Sequence, residues 1–380
     1  MEIYLYLLAL AVGWLSIYLI LKRFFSRENF GSLKLYPLAF VLRSRKTVEL
    51  FDKIVNRFPL LWMVLSNIGV AVGFGLTAFS IYFLAKNLGT YLFAPQHVGP
   101  QNIVVPLIIG VTIKLEHLPY ILLALGIVLI THEGMHGLVA RLEKIKLRST
   151  GLFLAFIFPG GFVEPDEEEF NKAHPKTRMR VAAAGSFANL VVGLLAVSLL
   201  MGLFLPMESG VIVLEVEGNA TKVHVGDVIV RVNGIIVNQG TLFQNITAKD
   251  VITVETVRGD ITYRLSKPIN MPMAWVLRGI GVKRIDYYHP MRIYLGDPMI
   301  EYNAYKMFWW IQLIALGVAI FNMLPIYFLD GSLFLTSLLE FWVKDERKLK
   351  IFNISLTSTC ITLLALNIIF TYKTFGFFQL

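Results

Sequence analysis

The sequence predicts a polytopic α-helical membrane protein of about six transmembrane helices, with a small β-rich domain inserted between the fourth and the fifth. Three observations predict it. Of 380 residues, 56% are hydrophobic and only 16% charged, against about 45–50% and about 25% in soluble domains. The apolar excess is gathered into runs near the ~20 residues that a helix needs to cross the hydrocarbon. Residues 209–267 depart from this pattern, alternating short β-branched runs with Gly-Asp and Asn-Gly turn signals.

The first span is Ile3–Leu21. Met1-Glu2-Ile3-Tyr4 lacks a basic leader and the run ends in Lys22-Arg23, so it reads as a retained span and not a cleaved signal. The others are Leu61–Ala85, Leu118–Ala140, Met179–Leu205, Tyr305–Leu329 and Ile351–Thr371. Tyr91–Thr112, with Pro95, Pro100 and Pro106, reads as irregular or shallowly re-entrant. Gly151–Glu164 is too short to span as a helix. Its Pro159-Gly160-Gly161 predicts the turn of a hairpin entering the interior, where non-helical backbone must be buried in protein or face water. The strand-like runs are Val211–Val216, Val228–Val232, Val251–Val257 and Ile261–Leu265. These elements divide the chain into N-terminal spans (1–117), a core in two parts (118–205 and 305–340), the β-rich domain (206–268), a linker (269–304) and a C-terminal span (341–380). The lone Cys360 excludes an intramolecular disulfide and reads as a small buried hydrophobe.

The formal net charge is +9. Lys and Arg crowd the segments after spans one, three and five, while Lys86–Leu118 holds only Lys86 and Lys114. The positive-inside rule places those three segments in the cytoplasm and both termini and the β-rich domain outside. The partner this implies is the lipid bilayer. No zinc-finger, helix-turn-helix or RNA-binding signature supports nucleic acid.

His132-Glu133-Gly134-Met135-His136 lies inside the third span. Residues i and i+4 share a helix face, so His132 and His136 can offer two imidazoles to one zinc ion, with Glu133 beside them as general base. Two interior histidines bonded to neighbouring helices are the alternative, but ionisable groups inside a span are functional by default. A third ligand is required. The continuation to a third nearby histidine fails, because Val139 and Leu142 stand there. Asp330 is the best candidate, being the sole acidic residue between Tyr305 and Leu339. It closes the fifth span at the depth of the histidines, after Pro325 breaks the helical ladder and before Gly331 allows a turn. The acids Glu164 and Asp166 to Glu169 read as a solvated cluster.

With these residues in place the chain resembles the site-2 protease family of intramembrane zinc metalloproteases, in its PDZ-containing prokaryotic form. His132–His136 resembles the family's metal motif, and Asn322, Pro325, Asp330 and Gly331 its Asn-x-x-Pro-x-x-x-x-Asp-Gly motif. Phe158–Glu164 resembles the following hairpin, Gly185 and Asn189 the Gly-x-x-x-Asn helix, and Val225–Gly234 part of a PDZ domain. Gly161 and Ser186 stand where many relatives carry Ala and Pro. The resemblance implies zinc held by His132, His136 and Asp330, with Glu133 moving the proton. It also implies membrane-anchored protein substrates cleaved within or near a transmembrane helix, as in regulated intramembrane proteolysis. Asn322, Pro325, Gly331, Gly160, Gly161 and Phe162 would position the unwound substrate. Asn189 would be a polar support, an oxyanion partner or helix–helix glue. A prenyl-protein-processing metalloprotease would need a Glu as third ligand, and spans four to six hold none. An ion or solute transporter with an ionisable intramembrane site is the non-enzyme alternative, and a metal-free chaperone-like relative another. Zinc content with and without Asp330 separates them.

Overall fold

Five helices among the described residues are long and apolar enough to cross a membrane. The computed structural model describes residues 11–20, 33–44, 46–108, 111–155, 158–218 and 222–377. About half of the expected first span, residues 3–10 and 21, lies outside them; its described part is the apolar helix α1 (Ala11–Ile20). Lys22, Arg23 and Arg27 also lie outside. In chain order the elements continue with β1 (Leu33–Tyr36), β2 (Ala39–Ser44), α2 (Lys46–Arg57), α3 (Pro59–Phe93), α4 (Leu118–Leu142), β3 (Leu147–Ala155), β4 (Phe158–Pro165), α5 (Glu167–Lys172) and α6 (Pro175–Leu203). Then come β5 (Val211–Val216), β6 (Val228–Val232), β7 (Ile235–Ile236), β8 (Asn245–Ala248), β9 (Val251–Thr256), β10 (Gly259–Arg264), β11 (Ile269–Pro272), α7 (Met273–Gly279), β12 (Val282–Tyr287), α8 (Pro298–Asn322), α9 (Asp330–Leu339) and α10 (Glu346–Phe375). The described parts of Met1–Leu194 and Trp310–Leu380 form one compact unit, and Leu195–Trp309 a second.

In the first unit small residues let apolar helices approach closely, since lipid removes the usual hydrophobic drive between them. A Cβ on Gly73 of α3 would stand 3.1 Å from both Ala183 of α6 and Phe334 of α9. Ala182, Ala183, Ala319, Met323 and Phe334 form the buried centre of this contact. Polar side chains fasten α10 to α3: Asn87 Nδ2 donates to Asn367 Oδ1 at 2.8 Å, and Asn367 Nδ2 to Leu84 O at 3.0 Å. Of the Tyr91–Thr112 segment, Tyr91–Phe93 end α3 and the described remainder is irregular, with two 3-10 turns at Pro95–His97 and Pro100–Asn102.

The hairpin expected over Gly151–Glu164 is present as β3 and β4, paired antiparallel. Pro159, Gly160 and Gly161 are not its turn; they lie within β4, opposite Leu154, Phe153 and Leu152. A Cβ on Gly160 would meet the Phe153 ring within 2.6 Å, so that glycine makes room for a cross-strand ring. Pro159 is tolerated because β4 ends the sheet, leaving one edge without a ladder. Two strands the sequence did not announce, β1 and β2, extend this sheet to the order β1-β2-β3-β4.

The second unit holds a sheet of order β10-β9-β6-β5-β12, with β7 on β6 and a separate β11-β8 pair. All four expected strand-like runs fall on strands of this sheet. Residues 269–304, expected as a linker, carry β11, α7 and β12, and β12 pairs antiparallel with β5. Val211, Val213, Ile229, Val232, Val254 and Leu277 are fully or almost fully buried in its core.

Candidate metal centre

Helix α4 buries Ile121, Ala124, Val128, His132 and Val139. These positions recur every three to four residues, so they form one inward stripe, while Leu123 and Ile130 face outward. His132 is therefore inward by register, and His136, one turn on, follows it. Their Nε2 atoms lie 3.1 Å apart.

Helix α6 passes directly behind them. A Cβ on Gly185 would lie 2.5 Å from His132 Cε1 and closer still to His136 Nε2. No other side chain fits between this backbone and the imidazoles. His136 Nδ1 donates to Val181 O at 2.7 Å, which fixes its tautomer and leaves Nε2 with a free lone pair. Asn189 is fully buried, and its amide lies 3.0 Å from His132 Nδ1. The two amide orientations of Asn189 have the same shape. As placed, Asn189 Nδ2 faces His132 Nδ1 and Asn189 Oδ1 accepts from the Thr131 hydroxyl at 3.3 Å; turned over, Oδ1 would accept from His132 Nδ1 and the NH2 would donate to Thr131 Oγ1. In the turned orientation the Thr131 hydroxyl donates to Ile127 O at 2.9 Å, and His132 Nε2 is also an acceptor.

Asp330 does not close the fifth span. Helix α8 ends at Asn322, and Asp330 is the first residue of α9. The seven residues between are non-helical, with Phe328 at φ +81°. Their backbone groups find partners: Tyr327 N donates to Thr357 Oγ1 at 3.0 Å, and Leu329 N to Ile326 O at 2.9 Å. Gly331 is needed here for proximity and not for a turn. A Cβ on it would lie 2.6 Å from Leu324 O and nearer still to Met323 O. That close approach returns α9 against the end of α8 and delivers Asp330 Oδ2 to 3.2 Å from His132 Nε2 and 3.3 Å from His136 Nε2.

One ligand atom from each of His132, His136 and Asp330 thus lies within 4.8 Å of the others. Asp330 Oδ2 is buried without a hydrogen-bond partner. Two imidazole lone pairs and a carboxylate oxygen converging without shared protons are mutually unfavourable unless a cation sits among them. Two nitrogens and one oxygen suit zinc and leave a further position open.

These three residues line a cavity of about 330 Å³ with Glu133, Asn322, Val163, Phe170 and Phe328. Glu133 Oε2 accepts from Val163 N of β4 at 3.2 Å, and a Cβ on Gly161 would stand 3.4 Å from Glu133 Cγ. Asn322 Nδ2 lies 3.3 Å from His132 Nε2, among the ligand atoms. Pro325 is buried in the break between α8 and α9. Gly160 and Phe162 stand apart from the cavity: the Phe162 ring lies across β3 by Gly151 and under the Arg43 guanidinium. Val181, Thr131 and Phe328 were not singled out from the sequence. The first acts through its carbonyl, which carries no side-chain signal, and the third through its backbone angle.

Comparison with known proteins finds both a family and individual relatives. The sequence model of peptidase family M50 matches residues 120–366, a stretch enclosing all three candidate ligands. Over 120 residues the chain is 37% identical to an uncharacterized protein of Methanocaldococcus jannaschii, covering 31% of this chain and 32% of that relative. The match therefore spans about a third of that relative's length.

Proposed function

The chain belongs to peptidase family M50, and from that premise we propose that it is an intramembrane zinc endopeptidase of the site-2 type. The convergence of His132, His136 and Asp330 on one point carries the proposal. In this reading His132 and His136 of α4 and Asp330 of α9 hold a zinc ion, which supplies Lewis-acid polarisation of a water and of the scissile carbonyl. Glu133, beside the pair, would serve as the general base that takes a proton from an attacking water and gives one to the leaving amine. Val181 O and Asn189 orient the two imidazoles through their Nδ1 atoms. Asn322, Pro325 and Gly331 shape the wall beside the ligands, and Gly161 keeps β4 close to Glu133.

The substrates proposed are membrane-anchored proteins cut within or near a transmembrane helix, as in regulated intramembrane proteolysis. An extended substrate segment pairs naturally with a free strand edge, and β4 ends its sheet next to Glu133. The positive-inside distribution supports a cytoplasmic-side centre and an outer β-rich unit. We read that unit as PDZ-like, either binding an exposed C-terminus or excluding substrates with untrimmed outer domains.

Reconstitution with a transmembrane substrate tests this reading. Glu133→Gln is expected to lower cleavage by at least about 10²-fold while zinc content stays at one per chain. Near wild-type cleavage by that variant would sink the mechanism. In the same assay, replacing Ser209–Tyr288 by a short linker tests the β-rich unit. Ser209 N and Tyr288 O are 2.8 Å apart, so the chain path closes. Unchanged discrimination between trimmed and untrimmed substrates dismisses both roles of the unit.

A further inference from the structure

In the second unit, the loop between β12 and α8 turns its apolar side chains outward. Ile293 is 75% exposed, Tyr294 60% and Leu295 52%. Three successive large apolar residues on a loop are unfavourable in water, and an exposed patch of this kind marks a contact surface.

The loop has not simply failed to collapse. The fully buried carboxylate of Glu301 accepts from Met291 N at 3.0 Å, Leu295 N at 2.8 Å and the Tyr288 hydroxyl at 2.7 Å. Charge-assisted bonds to a buried acceptor are strong, and here they fix the backbone on both sides of Ile293 and Tyr294. The outward direction of those side chains is built into the loop.

The loop is also tied to the end of a membrane-spanning helix. Arg292 N donates to Leu203 O at 2.7 Å, Leu205 N donates to Pro290 O at 3.0 Å, and Phe204 bridges Met291. The neighbouring surface of α6 and its exit is apolar and exposed at Leu195, Leu199, Met201 and Met207. Ile293–Leu295 therefore follow directly on a backbone contact with the end of α6, beside exposed apolar residues of that helix. Arg292, exposed on the same turn, suits the phosphate level, and a tyrosine beside it is the residue type enriched at membrane interfaces.

We propose that Met291–Leu295 is an interfacial membrane anchor, with Ile293, Tyr294 and Leu295 inserted among the lipids and Arg292 at the phosphates. It holds the β-rich unit down on the bilayer at the exit of α6. The proposal rests on α6 spanning the membrane and not on the peptidase reading.

Spin labels on the full-length chain in phospholipid nanodiscs test it. In a Cys360→Ala background, cysteines replace Ile293, Leu295 or, as the water-exposed reference, Glu217. Glu217 follows β5, whose six residues lead about 20 Å away from the α6 end. Collision with lipid-soluble oxygen and with a water-soluble nickel chelate is compared at each site. Labels at 293 and 295 are expected to show an oxygen-to-nickel ratio several-fold above that at 217. A ratio equal to that at 217 places the loop in water and overturns the proposal. Labels shielded from both reagents place it against protein, a second copy included, and overturn it equally. Tyr294→Cys supplies a third reading if either label perturbs the loop.

Discussion

At the residue scale, the side chains behind the histidines matter as much as the ligands. Asn189 lies fully buried with its amide 3.0 Å from His132 Nδ1, the position from which an amide oxygen would set the ring's tautomer. Losing such a partner of a metal-bound histidine typically weakens metal binding about 10–100-fold. Asn189→Ala is therefore expected to lose zinc affinity by about that factor, measured by competition with a chelator, with helix content unchanged. Retained affinity would mean that Asn189 only joins α6 to α4, the third role the sequence left open. Gly185 is the steric counterpart, because its missing side chain is the space the imidazoles occupy. Phe328 carries a different signal. A bulky residue at φ +81° is strained, and strain of this sort gathers at functional sites. Here it sits two residues before Asp330, on the wall of the cavity.

At the element scale, the decisive feature is the return of the chain after α8. A continuous helix from Tyr305 to Leu329 would carry Asp330 onward in the direction of α8. The non-helical segment at 323–329 instead brings α9 back against Met323 and Leu324, and Gly331 permits the contact. Gly331→Ala is expected to push α9 outward by the bulk of one methyl group and take Asp330 off the histidine pair. Zinc content of the purified variant should then fall while circular dichroism stays that of the wild type. Full zinc occupancy would show that the close approach does not govern the ligand. Two ion pairs brace the same elements: Arg178 of α6 with Glu340 after α9, and Arg180 of α6 with Glu143 after α4. The latter is 2.5 Å long and shielded from solvent on both sides. Buried pairs serve more to fix geometry than to add net stability, which suits helices that bring His132, His136 and Asp330 together.

At the scale of the whole molecule, the second unit has its own acid sensitivity. Burial alone would raise the Asp286 carboxyl, but the Lys306 ammonium at 2.6 Å and hydrogen bonds from Lys306 and Tyr302 hold it below the ordinary carboxylate range. A carboxyl lowered in the folded state contributes stability that is complete above its unfolded value of about 3.9 and is lost as pH falls through the folded value. Hydrogen exchange along β5 and β12 should therefore quicken below about pH 4. Asp286→Asn should exchange faster than wild type at neutral pH, and the difference should vanish in acid. A difference independent of pH would assign the loss to packing and not to charge.

Much of this was legible in one dimension. Hydropathy marked the five described membrane-length helices, because an apolar helix in lipid needs nothing beyond its own length and composition. The i, i+4 spacing placed His132 and His136 on one face with Glu133 beside them. β-branched alternation located β5, β6, β9 and β10 of the second unit and passed over the short β7 and β8. What the residues could not announce were contacts made across long separations. β2 joins β3 more than a hundred residues away, β12 completes a sheet begun at β5, and Pro159-Gly160-Gly161 is a strand because Phe153 lies opposite it. Asp330 was named from its charge and depth, yet its position depends on a chain reversal that only backbone packing against Met323 and Leu324 produces. The sequence by itself determined which groups have the chemistry to hold a metal and that His132 and His136 lie in a membrane-length helix, since composition and helical period are local properties. Only the tertiary structure decided that three of them meet within 4.8 Å, because that distance is set by glycines whose absent side chains let separate elements touch.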